Sequence, residues 1–544
     1  MRKPIFAFLI YGALIAPFAA VSQVPVRITP AERRLTSEIT ADQLSAYLHF
    51  VASDAMGGRD TPSPGLDATA EFLKMNLTRW GLKPAGDSGT FFQRIALKSE
   101  TIDTVNNLLQ IDGKDYKIND EFFRLSGNGS ANALMYFAGH GWVVKSKNIN
   151  PYQAADIKGK VVVITSEGFP SMDTLTRPPA SVVDADLTGN KGTDWSDPLT
   201  YARQHGAAGI LLIASPQAQA GWGQIRRFFS RANIYPEKLR QGPTAEQDKM
   251  PVMLVSSGVA DAIIAGAGVK ESVTGFAIDR TVSMTAMSRS ETKYTQNVVA
   301  IWEGRDPVLK NEMVAIGAHY DHDGTNPNAP GEDKIWNGAD DDGSGTVAVL
   351  AIAEALGKAR IRPKRSVLFV WHAGEEKGLW GSEYFNKFPT VEIKNVVAQI
   401  NIDMIGRSKK PGDTNPKNKE LSGENEIYVI GSEMMSSTLG SIVKATNKSF
   451  LNLSYNYRYD DPKDTNRFFF RSDHFHYAVN GIPIAFWFDG VHEDYHQPSD
   501  TADKIDYAKM EKVTRTIFLT LWELTDLAKR PAVDKKLPPQ LMQR

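Results

Sequence analysis

Residues 313–321 read MVAIGAHYD and residues 366–376 read SVLFVWHAGEE. Each is an unbroken apolar run of strand length that stops at a histidine and then meets carboxylates. A continuous run, as opposed to an alternating one, marks a strand covered on both faces, as in parallel sheets flanked by helices. Outward from these two, VVAIW (298–302), VVAQINI (396–402), IYVIG (427–431) and IPIAFWF (482–488) have the same character. TVAVLAIAEALGKAR, SEYFNKF and SSTLGSIVKATNKSF fall between them with helical periodicity. The pattern predicts an α/β domain over about 290–530, with a mainly parallel mixed sheet covered by helices.

Ligands of open α/β sheets gather beyond the carboxyl ends of the strands. The residues that follow the apolar runs are His319 and Asp321, then Glu375 and Glu376, then Asp403, then Tyr495 and His496. Asp340, Asp341 and Asp342 lie in the glycine-rich loop NGADDDGSG, and seven of the 10 histidines fall between His319 and His496. The sequence has no cysteine, so a metal here must be held by imidazole and carboxylate. Such donors suit a catalytic zinc, which keeps a position open for water. Two neighbouring ions need a shared carboxylate, further ligands on each, and a base that is not a ligand. His319, Asp341, Glu376, Asp403 and His496 can supply the ligands, leaving Glu375 as the base. Singly, each has an ordinary reading, since a strand-end histidine is usually structural and an aspartate in a Gly/Ser loop usually a cap. It is their joint occurrence at strand ends in one half of the chain that points to a site.

These stretches resemble the M28 metallopeptidases. GAHYDHDG is similar to the family's His-x-Asp motif, GADDDGSG to its bridging-aspartate loop, AGEEKGLWGS to its Glu-Glu motif, NIDMIG to its second-metal aspartate and DYHQPSDT to its terminal histidine motif, in the family's order. FVASDAMGGRDTPSPGLDATAEFLKMNLTRWGLKPAG resembles the N-terminal helical segment of the larger members, here within residues 23–129. The resemblance implies two zinc ions, with His319 and Asp403 on one, Glu376 and His496 on the other, and Asp341 bridging. Asp341 is singled out because the family's bridge lies three positions before the Ser of the closing SG, here Ser344, and a cis peptide is expected after it. Asp321 would orient His319. Glu375 would take the proton of a water held between the metals and return it to the leaving amine, and Tyr495 would donate to the oxyanion. The activity implied is that of an aminopeptidase acting on peptides. The rivals are a glutaminyl-cyclase-like single-zinc acyltransferase and a receptor-like binding protein that has lost its chemistry.

INPYQAADIKGKVVVI and YARQHGAAGILLI resemble the two best-marked segments of a protease-associated domain, expected as a β-rich insert over 130–285 without chemistry of its own. At the start of the chain, Arg2 and Lys3 precede an apolar run, and Ala20 and Ser22 are spaced for cleavage. Residues 1–22 therefore read as a signal peptide, with a periplasmic or secreted product and no stable membrane insertion. With 62 Lys plus Arg against 63 Asp plus Glu among 544 residues, no overall field recruits nucleic acid. Nothing in the sequence specifies an oligomeric state.

Overall fold

The computed structural model describes residues 26–542 apart from 154, 166, 172–173, 240–248 and 265–274. The expected signal peptide at 1–22 lies outside the described residues. Two compact units are present, one comprising the chain up to Ile95 together with the chain from Tyr294 onward, the other Ala96–Lys293.

The first unit is built on the parallel strands anticipated from the apolar runs. Ser366–His372, Met313–His319, Val396–Ile402 and Ile484–Phe488 lie side by side in that order, each parallel to the next. An antiparallel neighbour flanks this set on each side, the end of Ser288–Trp302 against Ser366–His372 and Glu426–Ile430 against Ile484–Phe488. Burial alternates along the strands only in direction: Val314, Ile316 and Ala318 enter one apolar core and Met313 and Ala315 the other. This two-sided burial is why the sequence shows runs and no alternation.

The N-terminal helices pack into the first of these cores. Ala41–Val51 is opened by a reciprocal capping box between Thr40 and Gln43 and buries Leu44, Leu48 and Val51, which are spaced four and three apart. Pro64–Arg79 starts with Ser63 as N-cap and Pro64 in the first turn, and buries Leu66, Ala70, Leu73 and Leu77. Between the helices, Gly57, Gly58 and Arg59 all take left-handed backbone angles. A side chain at Gly58 would collide with the carbonyls of Gly324 and Trp336, so this turn sits directly on their backbone.

The second unit holds an eight-stranded sheet. Gly129–Phe137, Val161–Thr165, Gly209–Ile213 and Val252–Val255 are successively parallel, and helix Pro198–Gln204 leads into the third of them as the sequence implied. Phe276–Ala286 joins Gly129–Phe137 and Leu108–Ile111 to one edge, and Phe122–Ser126 pairs with Val252–Val255 at the other. These long-range pairings set the unit's limits at 96 and 293, whereas the segment singled out from sequence was 130–285. Among the described residues no helix is long and apolar enough to cross a membrane.

Candidate metal centre

The parallel strands deliver their terminal residues to one place. His319 ends Met313–His319 and pairs in register with His372, which ends Ser366–His372 three residues before Glu375. Asp403 follows Val396–Ile402. The loop after Ile484–Phe488 carries Tyr495 and His496. Asp341 comes from the irregular turn Ala339–Ser344 that opens helix Gly345–Gly357.

His319 Nε2 faces Asp341 Oδ1 at 3.2 Å and Asp403 Oδ2 at 3.7 Å. His496 Nε2 faces the other oxygen, Asp341 Oδ2, at 3.1 Å and Glu376 Oε2 at 3.3 Å. One carboxylate thus addresses two separate His/carboxylate sets with its two oxygens. Around a tetrahedral zinc with ligands at about 2.0–2.1 Å, ligand atoms stand about 3.3 Å from each other. The observed separations bracket that value. Asp341 Oδ2 and Glu376 Oε1 are buried and met by no well-aligned N–H, although His496 Nε2 and His322 Nδ1 stand 3.1 and 2.9 Å away. Imidazole nitrogen and carboxylate oxygen brought together at the spacing a tetrahedral ion requires make a donor set that fits zinc.

The neighbouring aspartates show why Asp341 is the one available. Asp340 accepts from the Gly406 amide at 2.7 Å and lies 3.2 Å from His492 Nε2. Asp342 accepts from the amides of Gly345 and Met404 at 2.9 and 3.1 Å. Asp500 accepts from the amides of Asp340 and Asp341 at 2.9 and 3.1 Å and braces the turn. The peptide between Asp341 and Asp342 is cis, at the position expected from sequence.

Orientation of the histidines comes from their other nitrogens. His319 Nδ1 donates to the Asp321 carbonyl at 3.2 Å, which fixes Nε2 as the free donor atom. The Asp321 carboxylate is farther off, at 3.8 Å, and instead accepts from the Glu375 amide at 3.2 Å. Asp321 therefore steadies both His319 and Glu375, the first through its backbone. His496 Nδ1 lies 3.2 Å from Asp323, and Trp336 Nε1 donates to the His496 carbonyl at 3.1 Å.

Glu375 belongs to none of the His/carboxylate groups able to hold an ion, yet lines the cavity beside them. Burial first, then Glu376 and Asp403, push its carboxyl well above the usual range, with His319 opposing. Bound cations would act in the opposite sense. Burial disfavours charge on His496, but Asp323 and Asp341 outweigh it and lift the imidazole to about 11. Protons on the imidazoles thus compete with metal ions for the same carboxylates. Tyr495 packs against His496 at 4.0 Å between ring centres with the planes tilted by 39°, and its hydroxyl accepts from Arg471 at 3.0 Å.

Three participants escaped the sequence reading. His322 is fully buried, 2.9 Å from Glu376 and 4.0 Å from Asp341, and forms an alternative third donor for the second set. Asp323 orients His496. Arg59, fully buried, donates to the carbonyls of Val51, Tyr320, Asn337 and Gly338 at 2.6–2.9 Å. Tyr320 sits between His319 and Asp321, and Gly338 precedes the Asp340–Asp342 turn, so a single guanidinium ties together two loops that carry ligand candidates. Burial pulls its pKa down to about 10 against the raising effect of Asp321 and Asp500.

The leupeptin-inactivating enzyme 1 of Streptomyces exfoliatus is 36% identical over 135 residues, 24% of this chain and 27% of that protein. A probable leucine aminopeptidase of Arthroderma otae is 30% identical over 227 residues, 40% of this chain and 56% of that protein. The chain thus spans about a quarter to about half the length of these relatives. Among solved structures, an aminopeptidase from an Aneurinibacillus species aligns over 94% of this chain and 98% of its own, with 17% identity and a TM-score of 0.47. The family model described as Peptidase family M28 matches residues 297–521, the segment that carries Glu375 and all five ligand candidates.

Proposed function

We propose that this protein is a two-zinc exopeptidase, an aminopeptidase that releases N-terminal residues from peptides. The observation that carries the reading is the division of Asp341 between two donor sets. His319, Asp403 and Asp341 would hold one ion, and Glu376, His496 and Asp341 the other, with His322 at hand for the second. When bound, the zinc ions supply Lewis-acid polarisation of the scissile carbonyl and acidify water.

The chain's own residues do the rest. Glu375, free of ligand duty, accepts the proton of the attacking water and passes it to the leaving amine. Tyr495 accepts a hydrogen bond from Arg471, which leaves its own O–H proton free to donate to the carbonyl oxygen as charge develops there. Glu375 and Asp403 are the anions placed to pair with a substrate ammonium next to the cations. The reading extends to an exported protein whose residues 130–285 form a protease-associated domain, restricting substrate access or contacting partners.

The test is a metal count on the full chain together with an N-terminal blocking series. Two zinc ions per chain are expected, and hydrolysis of an amino-acyl chromogenic amide should exceed that of its N-acetyl form by about 100-fold or more, because the blocked amine forfeits its pairing. One zinc would favour the cyclase-like reading and none a binding protein. Equal rates on free and blocked amines would overturn the aminopeptidase assignment.

A further inference from the structure

A cavity of about 400 Å³ adjoins the ligand set, and its charge is uneven. Asp341, Glu375, Glu376 and Asp403 line it, while the rest of the lining includes Phe468, Phe486, Phe488 and Val491. Two cations reach it. Lys377 is engaged by Asp60 at 2.7 Å. Arg471 has only uncharged partners among the described residues: the Tyr495 hydroxyl at 3.0 Å and the rings of Phe468 and Tyr495, whose centres lie 4.9 and 5.8 Å from its guanidinium carbon.

Arg471 is held in place by its neighbours in sequence. Its amide donates to the Phe468 carbonyl at 3.1 Å, closing the short turn Phe468–Phe470. The next residue, Ser472, accepts from Asn401 at 2.8 Å, which anchors the turn to the strand that leads to Asp403. Two aromatic rings orient the guanidinium plane, and one of its nitrogens is used on Tyr495. An exposed guanidinium, oriented by two rings and with donors to spare where it lines a cavity of mixed polar and apolar character, matches the fork geometry of a carboxylate.

We propose that Arg471 reads a carboxylate on the substrate, either the terminal carboxylate of a dipeptide or an acidic side chain. The proposal rests on the aminopeptidase reading of the same cavity. A short peptide then meets complementary charge twice, its ammonium at Glu375 and Asp403 and its carboxylate at Arg471. Since Tyr495 touches both Arg471 and His496, the carboxylate is read one side chain away from the reacting carbonyl.

The experiment compares kcat/KM within two pairs, Leu-Ala against Leu-Ala amide and Glu-Ala amide against Gln-Ala amide, for the parent chain and for Arg471→Met and Arg471→Lys. The parent should favour the carboxylate member of one pair by about 10- to 100-fold, the range of a charge-assisted hydrogen bond. The pair that responds identifies the source of the carboxylate. Arg471→Met should bring that ratio close to one, and Arg471→Lys should keep part of it. A ratio read within one protein is insensitive to any general loss that follows from disturbing Tyr495. Affinities of the same ligands for the zinc-loaded Glu375→Gln chain, measured by calorimetry, give a readout independent of turnover. If no peptide is cleaved but the affinity ratio persists and depends on Arg471, the peptidase reading fails and the carboxylate site stands. Ratios near one in both pairs, or a ratio unchanged in Arg471→Met, overturn the proposal.

Discussion

Buried carboxylates occur in both units, and they are treated differently. In Ala96–Lys293, Asp197 caps helix Pro198–Gln204 through the amides of Leu199 and Thr200 at 3.0 Å and meets Lys191 at 2.8 Å. Asp103 accepts from Val105, Asn106 and Arg289. Both are fully engaged by their surroundings. In the unit built around residues 313–488, oxygens of Asp341 and Glu376 are buried with no aligned donor. Among the described residues such oxygens also occur on Asp340, Asp342, Asp473, Asp489 and Asp500 of the same unit, so the demand for further partners is concentrated around the strand ends that carry the ligand candidates.

The largest effect should come from the site itself. Glu375→Gln is expected to lower kcat by about three to five orders of magnitude while both zinc ions stay bound, because the amide keeps the shape and cannot take a proton. Glu376→Gln should instead lose zinc, as elemental analysis of the two purified variants would show. Near-normal turnover in Glu375→Gln would remove the distinction between base and ligand on which the contrast is built.

Arg59→Ala tests whether the ligand-bearing loops depend on the N-terminal segment. Four buried carbonyls lose their donor, and a destabilisation of about 3–5 kcal/mol is expected, with zinc content falling in parallel. Denaturant unfolding with a metal assay reads both. Full zinc retention in a folded variant would show that the loops stand without it.

Metal removal sharpens the contrast directly. With zinc at about a thousand times its dissociation constant, binding adds about 4 kcal/mol to whatever holds it. Chelation should therefore lower the thermal transition of the metal-bearing unit by several degrees and leave that of Ala96–Lys293 in place. A chelator that shifts both transitions, or neither, contradicts the assignment of the orphaned oxygens to metal.

The smallest effect is expected from Asp197→Ala. Loss of a cap costs about 1–2 kcal/mol and should be confined to the stability of its own unit, with zinc content unaltered. Loss of zinc in this variant would erase the distinction between the two kinds of carboxylate.

Much of the site was legible because parallel strands bring the ends of apolar runs to one edge, so His319, Glu375, Glu376, Asp403 and His496 could be read from their position after a run. The choice of Asp341 came from a resemblance; its physical reason, the commitment of Asp340 and Asp342 to backbone amides, is visible only in three dimensions. Asp323 was missed because its partner His496 lies far along the chain. His322 was in view in HYDHDG but carried no strand-end signal of its own. Asp321 was expected to orient His319, and the atom it places at hydrogen-bond distance of the ring is its backbone carbonyl, which side-chain chemistry alone does not reveal. Likewise Leu108–Ile111 and Phe122–Ser126 join the second unit through partners at 276–286 and 252–255, pairings with no local signature.

Arg59 also bears on how small a working version of this protein can be. A chain trimmed to 297–521 would keep every ligand candidate, yet the carbonyls of Tyr320, Asn337 and Gly338 would lose their shared donor. The core around Val314 and Ile316 would lose Leu44, Leu48, Leu73 and Leu77 as well. The smallest chain that keeps the candidate site braced is therefore discontinuous in sequence, and miniaturisation should proceed by excising the middle of the chain and never by shortening its front.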